Sequence, residues 1–227
     1  MKSLLLYNLY PKNNWREVTN MILANPVYHD EVYVNITLDK KDRFFKYHKI
    51  VNRYLRRFNK ITKIIYTINN PLLGEVAGFD NFRKVIDYNK WDIITYTHSK
   101  GVTKPKNLNI KDWVAMMKYF VIDRHDLCIE AFKNGYSLYG ANLNEYKYNR
   151  VRQKTYKYCD FWYGGTFVSV NLQKVKKQFL STNCTENYYG VEAFWGNLCP
   201  IEEAYCVHKS PYSLYDYPYP PEKYVME

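Results

Sequence analysis

Short apolar runs alternate with amphipathic segments along the first hundred residues. The runs are short, and the first and third end at Pro11 and at Asn69-Asn70-Pro71, which suits buried parallel strands better than helices. They predict strands over Leu4 to Tyr10, Val32 to Leu38, Ile61 to Ile68 and Trp91 to Thr97. Helical spacing of apolar residues predicts helices over Trp15 to Leu23, Asp42 to Phe58 and Phe79 to Tyr88. Strands that alternate with helices indicate a mainly parallel sheet with right-handed crossovers.

The second half of the chain predicts one long helix and two further strands. The helix runs from Ile110 to about Lys133, and a fifth strand covers Ser137 to Asn142. The segment Phe161 to Asn171 follows, with Gly164 and Gly165 leading into a β-branched run. A further amphipathic helix begins at Leu172.

The length and composition indicate one globular domain. A chain of 227 residues with 47% hydrophobic and 24% charged residues can bury a substantial core. We expect a single α/β domain over residues 1–209, with a Rossmann-like sheet flanked by helices. An irregular Tyr- and Pro-rich tail, residues 210–227, is expected to pack on it.

The number of cysteines and the hydropathy of the chain indicate in which cellular compartment the protein is expected. The five cysteines are an odd number without a CxxC pair or zinc-like spacing, which favours a reducing environment. The apolar run at the N-terminus is short for a signal peptide, and no stretch approaches the length of a membrane span. We therefore expect a cytoplasmic protein.

The formal net charge of +11 favours a polyanionic partner: nucleic acid, a membrane surface or a phosphate-bearing substrate. The densest basic cluster, Arg53 with Arg56 and Arg57, is typical of a solvated helix face. A nucleic-acid-binding protein remains one alternative, although the chain carries no RNP-type strand, GXXG loop, zinc spacing or long basic arm.

Polar residues follow the predicted strands where an open parallel sheet binds ligands, outside the carboxyl ends of its strands. This rule selects Leu9, Tyr10 and Pro11 after the first strand, Asn69 and Asn70 after the third, and Thr97 to Gly101 after the fourth. His98, Ser99 and Lys100 bring an imidazole, a hydroxyl and a cation to one strand end. The turn predicts a phosphate or metal–phosphate site, with a solvated surface loop as the alternative.

Several segments resemble a known family. The run WDIITYTHSKG with the following VTKPKNLNIKDWVAMMKYFVIDR, and the later FWYGGTFVSVNLQKV and YYGVEAFWGN, are similar to small glycosyltransferases of bacteria and large DNA viruses. In that group a His-Thr/Ser-Lys-Gly turn precedes an Asp-Trp-bearing helix. The similarity spans roughly residues 4 to 208. It implies a GT-A fold, a UDP- or GDP-linked sugar donor, and transfer to a hydroxyl of a glycan or glycoprotein.

The resemblance also raises the question of a metal ion. Most GT-A enzymes carry an Asp-X-Asp metal motif at the end of the fourth strand, where this chain has Thr97, His98 and Ser99. If Mn²⁺ or Mg²⁺ binds, His98 and His208 are the candidate ligands. Alternatively, Lys100, assisted by Arg83, neutralises the leaving diphosphate without a metal. The missing motif also leaves open a catalytically silent sugar-binding module.

Inverting sugar transfer needs a base near the acceptor. Glu192 is the first candidate, because it lies among aromatic residues where, by the resemblance, inverting enzymes of this pattern keep their catalytic acid residue. Asp160 is the second. Either carboxylate could instead cap a helix or form a surface ion pair.

The acceptor is expected to contact an aromatic segment and a pair of glycines. Trp162, Tyr163 and Trp195 could stack on sugar rings, although most aromatic residues of so aromatic a chain belong to the core. Gly164 and Gly165 would let a ligand approach the backbone closely.

Overall fold

The computed structural model describes residues 1–44, 46–145 and 159–225. Within these residues, seven strands form one sheet and two short strands pair separately. The sheet contains β1 Ser3–Leu9, β2 Glu31–Leu38, β3 Ile61–Ile68, β4 Ile93–His98, β5 Leu138–Ala141, β8 Val168–Asn171 and β9 Ala204–His208, and the separate pair is β6 Leu143–Glu145 with β7 Phe161–Tyr163. The sheet order is β3-β2-β1-β4-β8-β5-β9, with β8 antiparallel to both its neighbours and the other pairings parallel. The predicted α/β class with a mainly parallel sheet is confirmed.

Helices cover both faces of the sheet. They are α1 Trp15–Leu23, α2 Lys40–Phe44, α3 Tyr47–Leu55, α4 Val76–Val85, α5 Leu108–Lys118, α6 His125–Lys133, α7 Leu172–Ser181 and α8 Gly190–Trp195. A π-helical turn, Tyr119–Asp123, links α5 to α6, and 3₁₀ turns cover Ile201–Glu203 and Pro221–Lys223. No helix of the described residues is long and apolar enough to cross a membrane.

Two predicted helices are each divided. The single helix predicted over Asp42 to Phe58 is two helices, because Lys46 takes a left-handed φ of 57° before α3. The long helix predicted from Ile110 is also divided. Its α-helical part α5 ends where the π-helical turn begins, and Arg124, whose φ of −100° and ψ of 45° are not helical, separates that turn from α6.

The hydrophobic core lies in two layers, one on each face of the sheet. Alternate residues of β1 point to opposite faces, so that Leu5 and Tyr7 join one layer while Leu4 and Leu6 join the other. Helices α1, α3, α5 and α6 cover the first layer, and α4, α7 and α8 cover the second. Burial on both faces explains why four successive residues of β1, Leu4 to Tyr7, are apolar or aromatic.

The segment predicted from Phe161 to Asn171 makes a sharp turn between β7 and β8. Gly165 and Thr166 both have positive φ, 92° and 60°. A Cβ atom at Gly165 would lie 2.4 Å from the sulfur of Met117 on α5, so glycine is required there by space as well as by conformation. The turn therefore packs tightly on α5, beside the carboxyl end of β4.

The tail returns to α5. Asn109 donates from its amide to the carbonyl oxygen of Tyr215 (3.1 Å), and the backbone N–H of Tyr219 donates to the Asp112 carboxylate (3.1 Å). Leu214, Tyr219 and Tyr224 are buried in the first core layer. These contacts hold Tyr215 beside the end of β4.

Candidate functional site

The strand order reverses at β1, which has β2 on one side and β4 on the other. Such a switch point opens a crevice at the carboxyl ends of the strands. Here the two strand ends are tied together. The backbone N–H of Ser99 donates to the carbonyl of Asn8 (3.0 Å), and the N–H of Tyr10 donates to the Ser99 hydroxyl (2.7 Å). The turn after β4 is thereby fixed over the end of β1.

A cavity of about 350 Å³, the strand-end cavity, opens at this point. Its floor comes from four strand ends and their following residues, including Asn8, Thr37, Asn69 and His98. The opposite wall includes Glu75, Tyr188 and Tyr215. The volume lies in the range of small-molecule sites.

A second cavity of about 430 Å³, the lateral cavity, adjoins the first. It extends towards Trp113, Gly165 and Glu192. Six residues line both cavities: Glu75, His98, Lys100, Lys104, Tyr188 and Tyr215. The two cavities are therefore the lobes of one cleft, and a ligand could extend from one lobe into the other.

The Glu75 carboxylate and the His98 ring are in direct contact at the junction of the lobes. The Glu75 carboxylate contacts Nδ1 of His98 and accepts a hydrogen bond from the Tyr96 hydroxyl (2.8 Å). On the other side of the ring, Nε2 of His98 lies 3.1 Å from the carbonyl oxygen of Gly165. Each ring nitrogen of His98 therefore already contacts an oxygen atom.

The environment of Glu75 favours its charged form. Burial raises the pKa of Glu75, but the charge of His98, the hydrogen bonds from His98 and Tyr96, and the charge of Lys100 together outweigh burial and leave that pKa below its ordinary value. The carboxylate therefore stays charged at neutral pH and anchors His98.

Glu75 was not predicted from the sequence, and its position depends on a close helix approach. It immediately precedes α4, whose Gly78 packs on the strand-end amides. A Cβ atom at Gly78 would lie 2.6 Å from Oδ1 of Asn8 and 2.7 Å from Nδ2 of Asn35. The sequence feature that could have identified Glu75 is an acidic residue between Gly74 and Gly78, shortly after the third strand.

Lys100 and Lys104 add positive charge on the cleft wall. Lys100 Nζ lies 4.0 Å from the ring centre of Trp113 and 5.5 Å from that of Tyr215. Lys104 Nζ lies 5.0 Å from the Tyr215 ring. Aromatic faces attract and position cations at these distances, so both ammonium groups are held at the junction of the two lobes.

Four of the residues predicted to bind a donor line the strand-end cavity: Tyr10, His98, Ser99 and Lys100. Leu9 and Thr97 lie beneath it and are fully buried, with the Thr97 hydroxyl donating to the carbonyl of Leu6 (3.1 Å). Asn70 stabilises the following turn by accepting from the N–H of Leu72 (3.1 Å), and its neighbour Asn69 lines the cavity instead.

Arg83 is a correction to the predicted donor site. Its guanidinium donates to the carbonyl oxygens of Phe179, Leu180 and Thr182, at 2.8 to 3.1 Å. These groups lie at and just beyond the end of α7, so Arg83 satisfies carbonyls that the helix leaves unpaired. It lines neither lobe of the cleft.

The residues predicted on the acceptor side divide into three groups. Glu192 and Gly165 line the lateral cavity. Trp162 and Gly164 line a neighbouring cavity of about 410 Å³, which we call the distal groove and which is also bordered by Trp113, Asn144, Lys209, Tyr212 and Tyr215. Asp160 is exposed and lines none of these three cavities.

Tyr163 and Trp195 are corrections to the predicted acceptor site. Tyr163 is 1% exposed and Trp195 is fully buried, both within the second core layer. The Tyr163 hydroxyl donates to the carbonyl of Tyr205 (3.0 Å). Neither ring presents a face on which a sugar could stack.

The two histidines considered as metal ligands lie apart. His98 ends β4, whereas His208 ends β9 at the edge of the sheet, where its Nε2 is 2.8 Å from the Tyr219 hydroxyl and its ring stacks on Phe120. Among residues 1–44, 46–145 and 159–225, no group of three or more His, Cys, Asp or Glu side chains could hold a metal ion.

The sequence matches no protein-family model, and no curated protein matches it. The functional argument therefore rests on the chemistry and shape of the two-lobed cleft.

Proposed function

We propose that the protein is a GT-A-type glycosyltransferase that moves a sugar from a UDP- or GDP-linked donor to a hydroxyl of a glycan or glycoprotein. The observation that carries this proposal is the arrangement of the cleft. Its strand-end lobe lies at the switch point of the sheet, its lateral lobe holds the carboxylate of Glu192, and cations lie where the lobes meet. Transfer from a nucleotide sugar needs these three parts in this order.

The donor would lie with its nucleoside in the strand-end cavity, against Tyr10, Thr37 and Asn69. Its diphosphate would then reach Lys100 and Lys104 at the junction of the lobes, and the sugar would extend into the lateral cavity. The position agrees with the rule that nucleotides bind at the switch point of an open α/β sheet. Fixed cations beside the diphosphate stabilise the charge that develops as it leaves.

The side chains at the end of β4 do not suit a divalent metal ion. Both ring nitrogens of His98 already contact oxygen atoms, and the Glu75 carboxylate contacts His98 and Tyr96. Mg²⁺ and Mn²⁺ sites in nucleotide enzymes use carboxylates that can coordinate the ion, whereas Glu75 is engaged by its neighbours and Glu192 lines the other lobe. We therefore assign the stabilisation of the leaving diphosphate to Lys100 and Lys104.

Glu192 is the proposed base. Its half-buried side chain lines the lateral cavity and not the strand-end cavity. The acceptor oxygen would attack the anomeric carbon while its proton passes to Glu192. The bond from that carbon to the diphosphate breaks, and the electron pair leaves with the diphosphate.

Nucleotide sugars provide the direct test. A UDP- or GDP-linked sugar at about 100 times its dissociation constant should stabilise the folded protein by about 2.7 kcal/mol. For a chain of this length that corresponds to a melting-temperature rise of about 5 to 10 °C. Short oligonucleotides should raise the melting temperature only at low salt, because non-specific phosphate attraction is screened. Salt-resistant binding of oligonucleotides, with no response to nucleotide sugars, would favour the nucleic-acid alternative.

Lys100→Ala should weaken donor binding about 5- to 150-fold, since a charged hydrogen bond to phosphate contributes about 1 to 3 kcal/mol. Isothermal titration calorimetry with the nucleotide sugar would measure the change. Lys106→Ala is the matched control, because Lys106 is exposed in the same loop and lines neither lobe. Equal affinity in the two variants would show that the turn after β4 does not contact the diphosphate.

A further inference from the structure

The distal groove adjoins the lateral cavity but is not part of it. The two share Trp113 and Tyr215 as a common wall, and Gly164 and Gly165 of one turn face the groove and the cavity respectively. A ligand that extends from the lateral cavity past this wall would therefore enter the groove. The groove has a volume of about 410 Å³, close to the 430 Å³ of the lateral cavity.

The floor of the distal groove is a fixed polar frame. Asn142, in a left-handed conformation with φ 56°, accepts at its backbone carbonyl from the N–H of Gly164 (2.9 Å) and the amide of Asn144 (2.6 Å). The side-chain oxygen of Asn142 accepts from the N–H of Ser210 (2.8 Å). One residue thus joins the end of β5, the glycine turn and the start of the tail, so the groove is held open by hydrogen bonds from three parts of the chain.

The lining of the groove has the chemistry that binds neutral sugars. Partly exposed phenol rings come from Tyr212 and Tyr215, while the buried indoles of Trp113 and Trp162 lie beneath the groove; amides and hydroxyls come from asparagine and serine residues. Lys209 is the only cation among the described lining residues, and none of them is a carboxylate. Aromatic rings suit the apolar faces of a pyranose, and amide and hydroxyl groups suit its hydroxyls. The described lining residues do not offer the several charged side chains that would bind a charged peptide.

Trp113 forms part of the wall between the lateral cavity and the distal groove. Its side chain is 6% exposed, and the Lys100 ammonium lies 4.0 Å from its ring centre. Trp113 therefore shapes both spaces, and the rings that can contact a ligand in the groove are those of Tyr212 and Tyr215.

We infer that the distal groove is a second sugar subsite, which binds the next ring of a neutral oligosaccharide acceptor while the reacting ring lies in the lateral cavity. This inference rests on the proposed function. It narrows the acceptor class to chains of at least two sugar rings.

An array of neutral and acidic oligosaccharides, probed with the full chain, tests the inference. The wild type should capture neutral glycans of two or more rings at physiological salt, and titration should show weaker binding of the corresponding monosaccharides. Tyr212→Ala and Asn144→Ala, which alter the groove from two different elements, should each weaken capture about three- to tenfold, the effect of one lost aromatic or amide contact. Tyr28→Ala is the control, since Tyr28 is 46% exposed in the loop before β2 and lines none of the three cavities.

The same variants separate this inference from the proposed function. Both groove variants should keep the thermal response to nucleotide sugars, because neither residue lines the strand-end cavity. The subsite is disproved if no neutral glycan is captured, if both groove variants bind like the wild type, or if only acidic glycans bind and are released at high salt. Glycan capture without any nucleotide-sugar response would instead overturn the acceptor role and leave a sugar-binding module.

Discussion

Glu192→Gln is expected to lower the rate of sugar transfer by about 10²-fold or more, the low end of the effect of a general base. Glutamine keeps the size of the side chain and removes its basicity, so the acceptor hydroxyl would lose its proton acceptor. Donor affinity should stay nearly constant, because Glu192 lines the lateral cavity and not the strand-end cavity. Steady-state kinetics together with calorimetry of donor binding would show the loss in kcat alone.

Two other carboxylates serve as comparisons. Asp160→Asn should transfer sugar at the wild-type rate, since Asp160 is exposed and outside the three cavities. Glu75→Gln should weaken donor binding and slow transfer together, because Glu75 anchors His98 at the junction of the lobes. Near-normal transfer by Glu192→Gln, with loss in Asp160→Asn, would mean that the base has been misassigned. Full activity of all three variants would exclude an inverting mechanism that uses these acids.

The parallel strands can be predicted from the sequence because the sheet is covered on both faces. All seven positions of β1 are buried, and the four successive residues Leu4 to Tyr7 form an apolar run between the polar residues Ser3 and Asn8. The breaks within helices are harder to predict. Lys46 and Arg124 interrupt helices through their backbone angles, whereas the apolar spacing on either side continues with a helical period.

Some residues of the candidate site can likewise be predicted from the sequence, and others cannot. The strand-end rule finds Tyr10, His98 and Lys100, because their positions follow from the ends of parallel strands. Glu75 and Tyr215 reach the cleft through tertiary packing, of α4 on the strand-end amides and of the tail on α5. The sequence marks Glu75 only as an acid between Gly74 and Gly78, and the packing that brings both residues to the cleft is not visible in a local pattern.

Buried aromatic residues and a cation show a second limit of prediction from the sequence, which is that the type of a residue does not reveal its role. Trp195 and Tyr163 have the side chains expected of a sugar platform, but the second core layer encloses both. Residue type alone does not distinguish a platform from a core ring. Arg83 likewise has the charge expected of a phosphate ligand, and the carbonyls at the end of α7 take up its donors. Burial and partners, which depend on the whole fold, decide between the two roles.

A pair of buried histidines lies at the opposite end of the sheet from the cleft. His29 and His125 are both fully buried, with ring centres 4.4 Å apart. His125 Nε2 is 3.1 Å from the Ser3 hydroxyl. Burial lowers the pKa of His29 well below its ordinary value, and the charges of His125 and Lys60 act in the same direction. Burial also lowers the pKa of His125 to about 4, although the Val121 backbone and two aspartates partly oppose it.

The pH dependence of stability follows from these shifts. In the unfolded chain both histidines bind protons near pH 6.5, whereas in the folded protein they resist protonation until lower pH. The unfolded state therefore holds more protons between pH 6.5 and about 4, and the free energy of unfolding falls as the pH falls through that window. The shift of His125 alone corresponds to about 3 kcal/mol, a large part of the stability of a single domain.

The protein should accordingly lose stability between pH 6.5 and 5, before the carboxylates with lowered pKa values begin to contribute. Glu31 and Glu75 are such carboxylates, and their ordinary pKa is 4.5, so their stabilising effect is lost only at lower pH. Urea unfolding at several pH values would measure the slope. His29→Phe keeps an aromatic ring and removes the titrating group, and His125→Gln keeps a polar partner for Ser3. Each variant should flatten the pH dependence in this window, and the double variant should flatten it most. A slope that stays as steep in the double variant as in the wild type would show that the histidine pair does not cause the acid sensitivity.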